Sequence, residues 1–147
     1  MLFKKVITQQ EKSFFCFYLP EIVNRCAESI KQFDHLSVNE ALNIVLPIFG
    51  FRLKFHWTEV FIDVAYQYPY LIDLYKVFPV GPGSLPTMKL LNLNQQSELT
   101  CVDLINNKLQ NFPYLTFNSK PIHLSAENWE GIGCEYRKYL NLMSGEG

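Results

Sequence analysis

Phe78-Pro79-Val80-Gly81-Pro82-Gly83-Ser84 sets two glycines and two prolines directly ahead of a helical apolar pattern. Glycine has no Cβ, so it tolerates positive φ and lets another backbone come close. Ser84 is a good N-cap for a helix carrying Met88, Leu90 and Leu91. A turn that feeds a helix start presents amides with no intrahelical acceptor, and such amides attract an anion. Two readings follow, a phosphate-binding turn or a turn against a close-packed backbone. An ordinary loop is the bland third.

Outward from that turn the pattern is helical. Between residues 11 and 33, Phe14, Phe15, Tyr18, Ile22, Val23, Cys26, Ala27 and Ile30 recur at helical spacing. Pro20 is expected either to kink this helix or to open a second one. Ser37-Val38-Asn39-Glu40 is a capping box, and the helix after it is expected to end at Pro47 and Gly50. Lys54 to Tyr68 reads as the next helix, stopped by Pro69, with Tyr70 to Tyr75 as a further short helical turn. Downstream, Glu98 to Leu109 reads as an amphipathic helix. Asn111 to Leu124 is loop-like, with a short extended piece at Tyr114–Phe117. Ser125 caps the last helix, whose Trp129, Ile132, Tyr136 and Tyr139 or Leu140 share one stripe. The fold class is all-α, a compact helical domain over residues 1–147.

Composition supports an ordered domain. The chain has 147 residues, 48% of them hydrophobic and 15% aromatic, which argues against disorder. A net charge of −1 gives no global pull toward nucleic acid or anionic membrane. Any nucleic-acid contact then needs a local basic patch or a partner chain's charge. Cys16, Cys26, Cys101 and Cys134 form no Cys-x-x-Cys pair and have no histidine at metal-ligand spacing, so no zinc site is expected. A reducing, intracellular compartment (cytoplasmic or nuclear) fits that usage. No cofactor and no membrane span are called for, since no run of about 18 apolar residues exists.

Several side chains carry chemistry. Asp63 sits in an apolar helical stretch, where it can act as a base or charge stabiliser in a cleft, stand exposed, or pair with Arg52 or Lys54. Glu130, Glu135, Arg137 and Lys138 lie on the last helix and read as a solvated charged face, on which Glu135 and Lys138 are spaced to pair. Cys134 gains no nucleophilicity from a neighbouring carboxylate. His35, His56 and His123 are scattered, and a structural role suits each.

Three stretches together resemble a known family. They are Phe55-His56-Trp57 through Phe61-Ile62-Asp63-Val64-Ala65-Tyr66, then Val80-Gly81-Pro82-Gly83-Ser84, then Ala126-Glu127-Asn128-Trp129-Glu130 with Gly133-Cys134-Glu135-Tyr136-Arg137-Lys138-Tyr139. In that order they resemble the alpha-glutamyl/putrescinyl thymine pyrophosphorylases, DNA-hypermodification proteins whose helical domain is shared with 5-hydroxymethyluracil DNA kinases. That family's fold is related to the helix-hairpin-helix DNA glycosylases. Gly133 stands where the family has a larger apolar residue. Members are about twice this length, so the resemblance implies a half-domain of the glycosylase-like fold, a split subunit whose fold a second protein chain completes, or a catalytically dead relative. It also implies DNA as partner and an amine replacing pyrophosphate on the 5-methylene of a flipped thymine. On that reading Gly81, Pro82, Gly83, Ser84 and Lys89 hold DNA phosphate. Asp63, Glu135 and Lys138 are catalytic, and Trp57, Tyr66 and Tyr136 stack on bases. A non-catalytic helical subunit or interaction module of a larger complex is the alternative.

Overall fold

The computed structural model describes residues 8–49, 53–91, 98–100 and 116–145, and among them the chain is all-α in character, with only two-residue strands. Helix α1 (Gln9–Ser13) runs through one π-helical turn, Phe14–Tyr18, into α2 (Leu19–Ile30). Helices α3 (Val38–Phe49) and α4 (Lys54–Gln67) follow. Strand β1 (Phe78–Pro79) leads through the glycine turn into α5 (Leu85–Leu90). Strands β2 (Glu98–Leu99), β3 (Thr116–Phe117) and β4 (Lys120–Pro121) precede the final helix, α6 (Ala126–Ser144).

Proline explains the first irregularity. Pro20 has no N–H, and it sits in the first turn of α2. The wider turn ahead of it closes with the Leu19 amide donating to the Phe14 carbonyl, five residues back. The helical path therefore continues from residue 9 to residue 30 instead of breaking. No side chain of Gln9–Tyr18 is buried, and Phe14, Phe15, Phe17 and Tyr18 stand exposed.

The capping box at Ser37 forms as its residue types predict. The Glu40 amide donates to Ser37 Oγ at 3.2 Å, and the Ser37 amide donates to Glu40 Oε2 at 2.8 Å. Helix α3 then places Val38, Ala41, Leu42, Val45 and Leu46 in the core, against Cys26 and Ile30 of α2 and Phe61 and Ala65 of α4. Burying side chains the size of Leu42 and Phe61 stabilises the fold by about 2–3 kcal/mol each. Of the two expected stops, Pro47 is corrected, because α3 runs through it to Phe49, directly ahead of Gly50, which lies outside the described residues.

Ser37 has a pH consequence. Its amide and hydroxyl bonds hold the Glu40 carboxyl below its ordinary value. Glu40 therefore contributes stability that is fully present above about pH 4.3, the unfolded glutamate range, and is lost as pH falls through its folded value. Glu40→Gln is expected to flatten the acid limb of a stability-against-pH curve measured by urea unfolding. An unchanged limb would remove Glu40 from that role.

Connections zip the helices together. Leu36 and Ile72 form a parallel bridge, with the Leu36 amide donating to the Leu71 carbonyl at 2.9 Å. Of the short helical turn expected at Tyr70 to Tyr75, only a turn closed by the Leu71 and Ile72 amides on the Tyr68 carbonyl forms, and the chain then extends into the bridge. The Ala126 amide donates to the Leu74 carbonyl at 2.9 Å and ties the start of α6 to the same segment. Phe78 pairs with Leu99, and Pro79 with Glu98. The helix expected from Glu98 is thus corrected at its start, where Glu98–Leu99 is a strand, and the rest of that expectation lies outside the described residues. Thr116–Phe117 is extended as expected and pairs with Lys120–Pro121 across Asn118 and Ser119, both at positive φ (49° and 62°). Two such residues make the primed turn that suits a twisted hairpin.

Candidate functional site: the glycine turn and the last helix

Strand β1 delivers the chain to Gly81 with Phe78 buried, and α6 arrives capped by Ser125 and anchored at Ala126. The two meet. The Gly81 amide donates to Glu130 Oε1 at 3.0 Å. Ser84 Oγ donates to the same oxygen at 2.5 Å and lies 3.2 Å from the Gly81 carbonyl. Ser84 is fully enclosed, at 0% exposure. One turn on, Thr87 Oγ1 donates to the Gly133 carbonyl at 2.7 Å in a buried contact. A carboxylate from α6 thus occupies the position that an outside anion would take at the entry to α5. A buried carboxylate needs such donors, since each charge-assisted bond is worth about 1.5–3 kcal/mol.

Close approach, not positive φ, accounts for the glycines. Neither Gly81 nor Gly83 adopts positive φ. A Cβ on Gly81 would lie 3.0 Å from Glu130 Oε1, and one on Gly83 would lie 2.9 Å from Cys134 Sγ. On the facing helix, a Cβ on Gly133 would lie 2.5 Å from Met88 Cε and 3.3 Å from Ser84 Cβ. This explains the glycine at 133: α5 leaves no room for a large side chain there.

Each predicted site residue has a definite place. Gly81, Gly83 and Ser84 gather on Glu130 and Cys134, while Pro82 and Lys89 are exposed. Gly81 and Ser84, expected to hold phosphate, face a carboxylate of the chain itself. Their donors already engage Glu130, and a phosphate there would meet a like charge. Ser84 does not cap α5 with its side chain for the same reason. Glu135 and Lys138 pair at 2.5 Å on the solvated side of α6, and the carboxylate holds the Lys138 ammonium above its ordinary value. Glu135 lies about 140° round the helix from Glu130 at 100° per residue. Asp63 is exposed on α4, and among the described residues no hydrogen bond or ion pair joins it to Glu135 or Lys138. Trp57 is corrected from a stacking role. It is buried in the core, edge-on to Phe49 with ring centroids 5.3 Å apart. Tyr66 is exposed, but its hydroxyl donates to Glu127 Oε2 at 3.2 Å, and burial followed by the Glu127 charge raises its pKa. Tyr136 is exposed and stacks on Tyr139, with centroids 6.4 Å apart.

Glu130 is the residue that sequence reasoning missed, having placed it on a solvated face. The signal was present in Ala126, Glu130, Gly133, Cys134 and Arg137, which recur at spacings of three and four. All five are buried or half-buried. Among the described residues no group of three or more His, Cys, Asp or Glu can hold a metal ion, and no helix is long and apolar enough to cross a membrane.

Fold and site together define an all-α domain whose glycine turn receives a helix. No family model, curated protein or solved structure matches the chain.

Proposed function

We propose that the chain is a non-catalytic helical interaction module, a subunit held in a larger complex through the outer face of α6. One observation carries this reading. The inner face of α6 packs on the turn and on α5, while Ile132, Tyr136, Tyr139, Leu140 and Met143 on the other side stay exposed. Apolar surface concentrated on one helix face marks a protein contact, and tyrosine is enriched at such contacts. The pairing of Glu135 with Lys138 on the exposed side of α6 supports the same reading, since each charge is already answered by the other. A photo-crosslinking residue substituted at Tyr139 is expected to form adducts with a protein chain in the native cell. A crosslinker at the same position that labels no protein would contradict the proposal.

A second reading keeps the DNA-modification class that the resemblance implies. It is favoured by the packing of two resembling stretches on each other, Gly81–Ser84 on the α6 segment around Glu130 and Cys134. In this reading a DNA phosphate or the substrate displaces Glu130, and a modified thymine is handled beside the turn. Duplex DNA binding whose affinity falls steeply with salt would support it. The interaction-module reading expects no such binding.

A further inference from the structure

We propose that the occupant of the outer α6 face is a second copy of this chain, docked antiparallel about a two-fold axis between Tyr136 and Tyr139. This inference rests on the interaction-module reading and names its partner. The spacing comes first. Ile132, Tyr136, Tyr139 and Met143 follow one another at intervals of four, three and four residues, the interval pattern by which one helix seats side chains in the gaps of another. These positions are also self-complementary when the helix is reversed. A single antiparallel register sets Ile132 opposite the second copy's Met143 and, at the same time, Tyr136 opposite the second copy's Tyr139. A two-fold interface requires that property, because the same patch must serve both sides.

Area and chemistry agree with it. Ile132, Tyr136, Tyr139, Leu140 and Met143 are each between 38% and 71% exposed. At about 200 Å² for a large side chain they offer roughly 500 Å² per copy, the central part of the ~800 Å² per partner of a stable interface. Tyr136 and Tyr139 already stack within one helix, with their rings inclined at 26°. The dyad therefore brings together four rings that are pre-ordered in pairs, which lowers the entropy lost on docking. The charged pair Glu135–Lys138 is exposed at one side of the stripe, where a polar rim belongs.

The test is sedimentation equilibrium on the purified chain together with cysteine pairing. The chain is expected at twice 17.2 kDa, and Tyr139→Glu, on the exposed face, is expected to raise the dissociation constant by at least ~100-fold. Phe17→Glu, in the exposed N-terminal segment, is expected to leave it unchanged. The double variant Ile132→Cys with Met143→Cys is expected to give a disulfide-linked dimer on oxidation, while either single variant does not. Single variants that crosslink to themselves would overturn the antiparallel register. A one-copy mass at concentrations up to roughly 100 µM would overturn the second copy as occupant. If position 139 still crosslinks to a different protein in that case, the interaction-module reading survives; if it crosslinks to none, both fall.

Discussion

Glu130→Ala is expected to destabilise the chain by about 2–4 kcal/mol, a loss unusual for a glutamate on a terminal helix. The substitution strips the Gly81 amide of its acceptor and leaves the Ser84 hydroxyl only its longer bond to the Gly81 carbonyl. Ser84 is fully buried, so water reaches it only if the turn parts from α6. Glu130→Gln keeps an oxygen acceptor and forfeits only the charge, so about 1 kcal/mol is expected for it. Thermal unfolding separates the two, since at this chain length each kcal/mol moves Tm by roughly 2–4 °C. A solvated glutamate would give a change near zero for both variants.

Two glycines two residues apart in α6 are expected to respond in opposite directions. A Cβ on Gly131 would meet nothing within 4 Å. Gly131→Ala should therefore stabilise the helix by about 0.5–1 kcal/mol, the ordinary gain of alanine over glycine. Gly133 faces Met88, Ser84 and Thr87, with the first contact at 2.5 Å. Gly133→Leu is expected to cost about 3 kcal/mol, because a branched side chain overpacks a buried seam that has no room for it. Met88 Cε is the mobile end of a flexible side chain and can yield to one methyl group. Alanine at 133 is therefore a milder probe than leucine. Urea unfolding of the two variants checks both signs, and equal effects at 131 and 133 would refute the close approach.

Much of the helical framework was legible because its signals are local. The Ser37 and Ser125 caps depend on residues three apart, and both form. The helix read over Lys54 to Tyr68 forms as α4, but its buried side is Trp57, Thr58, Phe61 and Ala65, while Phe55 and Val60 stand exposed. Tertiary context decides what the local pattern could not. Glu98 and Leu99 read as a helix start, yet they pair with Phe78 and Pro79 across the chain. Pro47 reads as a stop, yet α3 is buried along enough of its length to carry the proline. At the site, the two glycines were legible as a place of close approach, but their partner was not. Nothing within a few residues of Gly81 points to a carboxylate 49 positions away. Glu130 itself resembles its charged neighbours until the two faces of α6 are told apart.

The contact between the glycine turn and α6 is open to a double-mutant cycle on Ser84 and Glu130. Ser84→Ala and Glu130→Ala, measured singly and together by equilibrium unfolding, are expected to show a coupling of about 1–2 kcal/mol. Effects that add to within ~0.3 kcal/mol would mean that the turn and the helix do not meet through these groups. In that event the Gly81 amide would again be open to an outside anion.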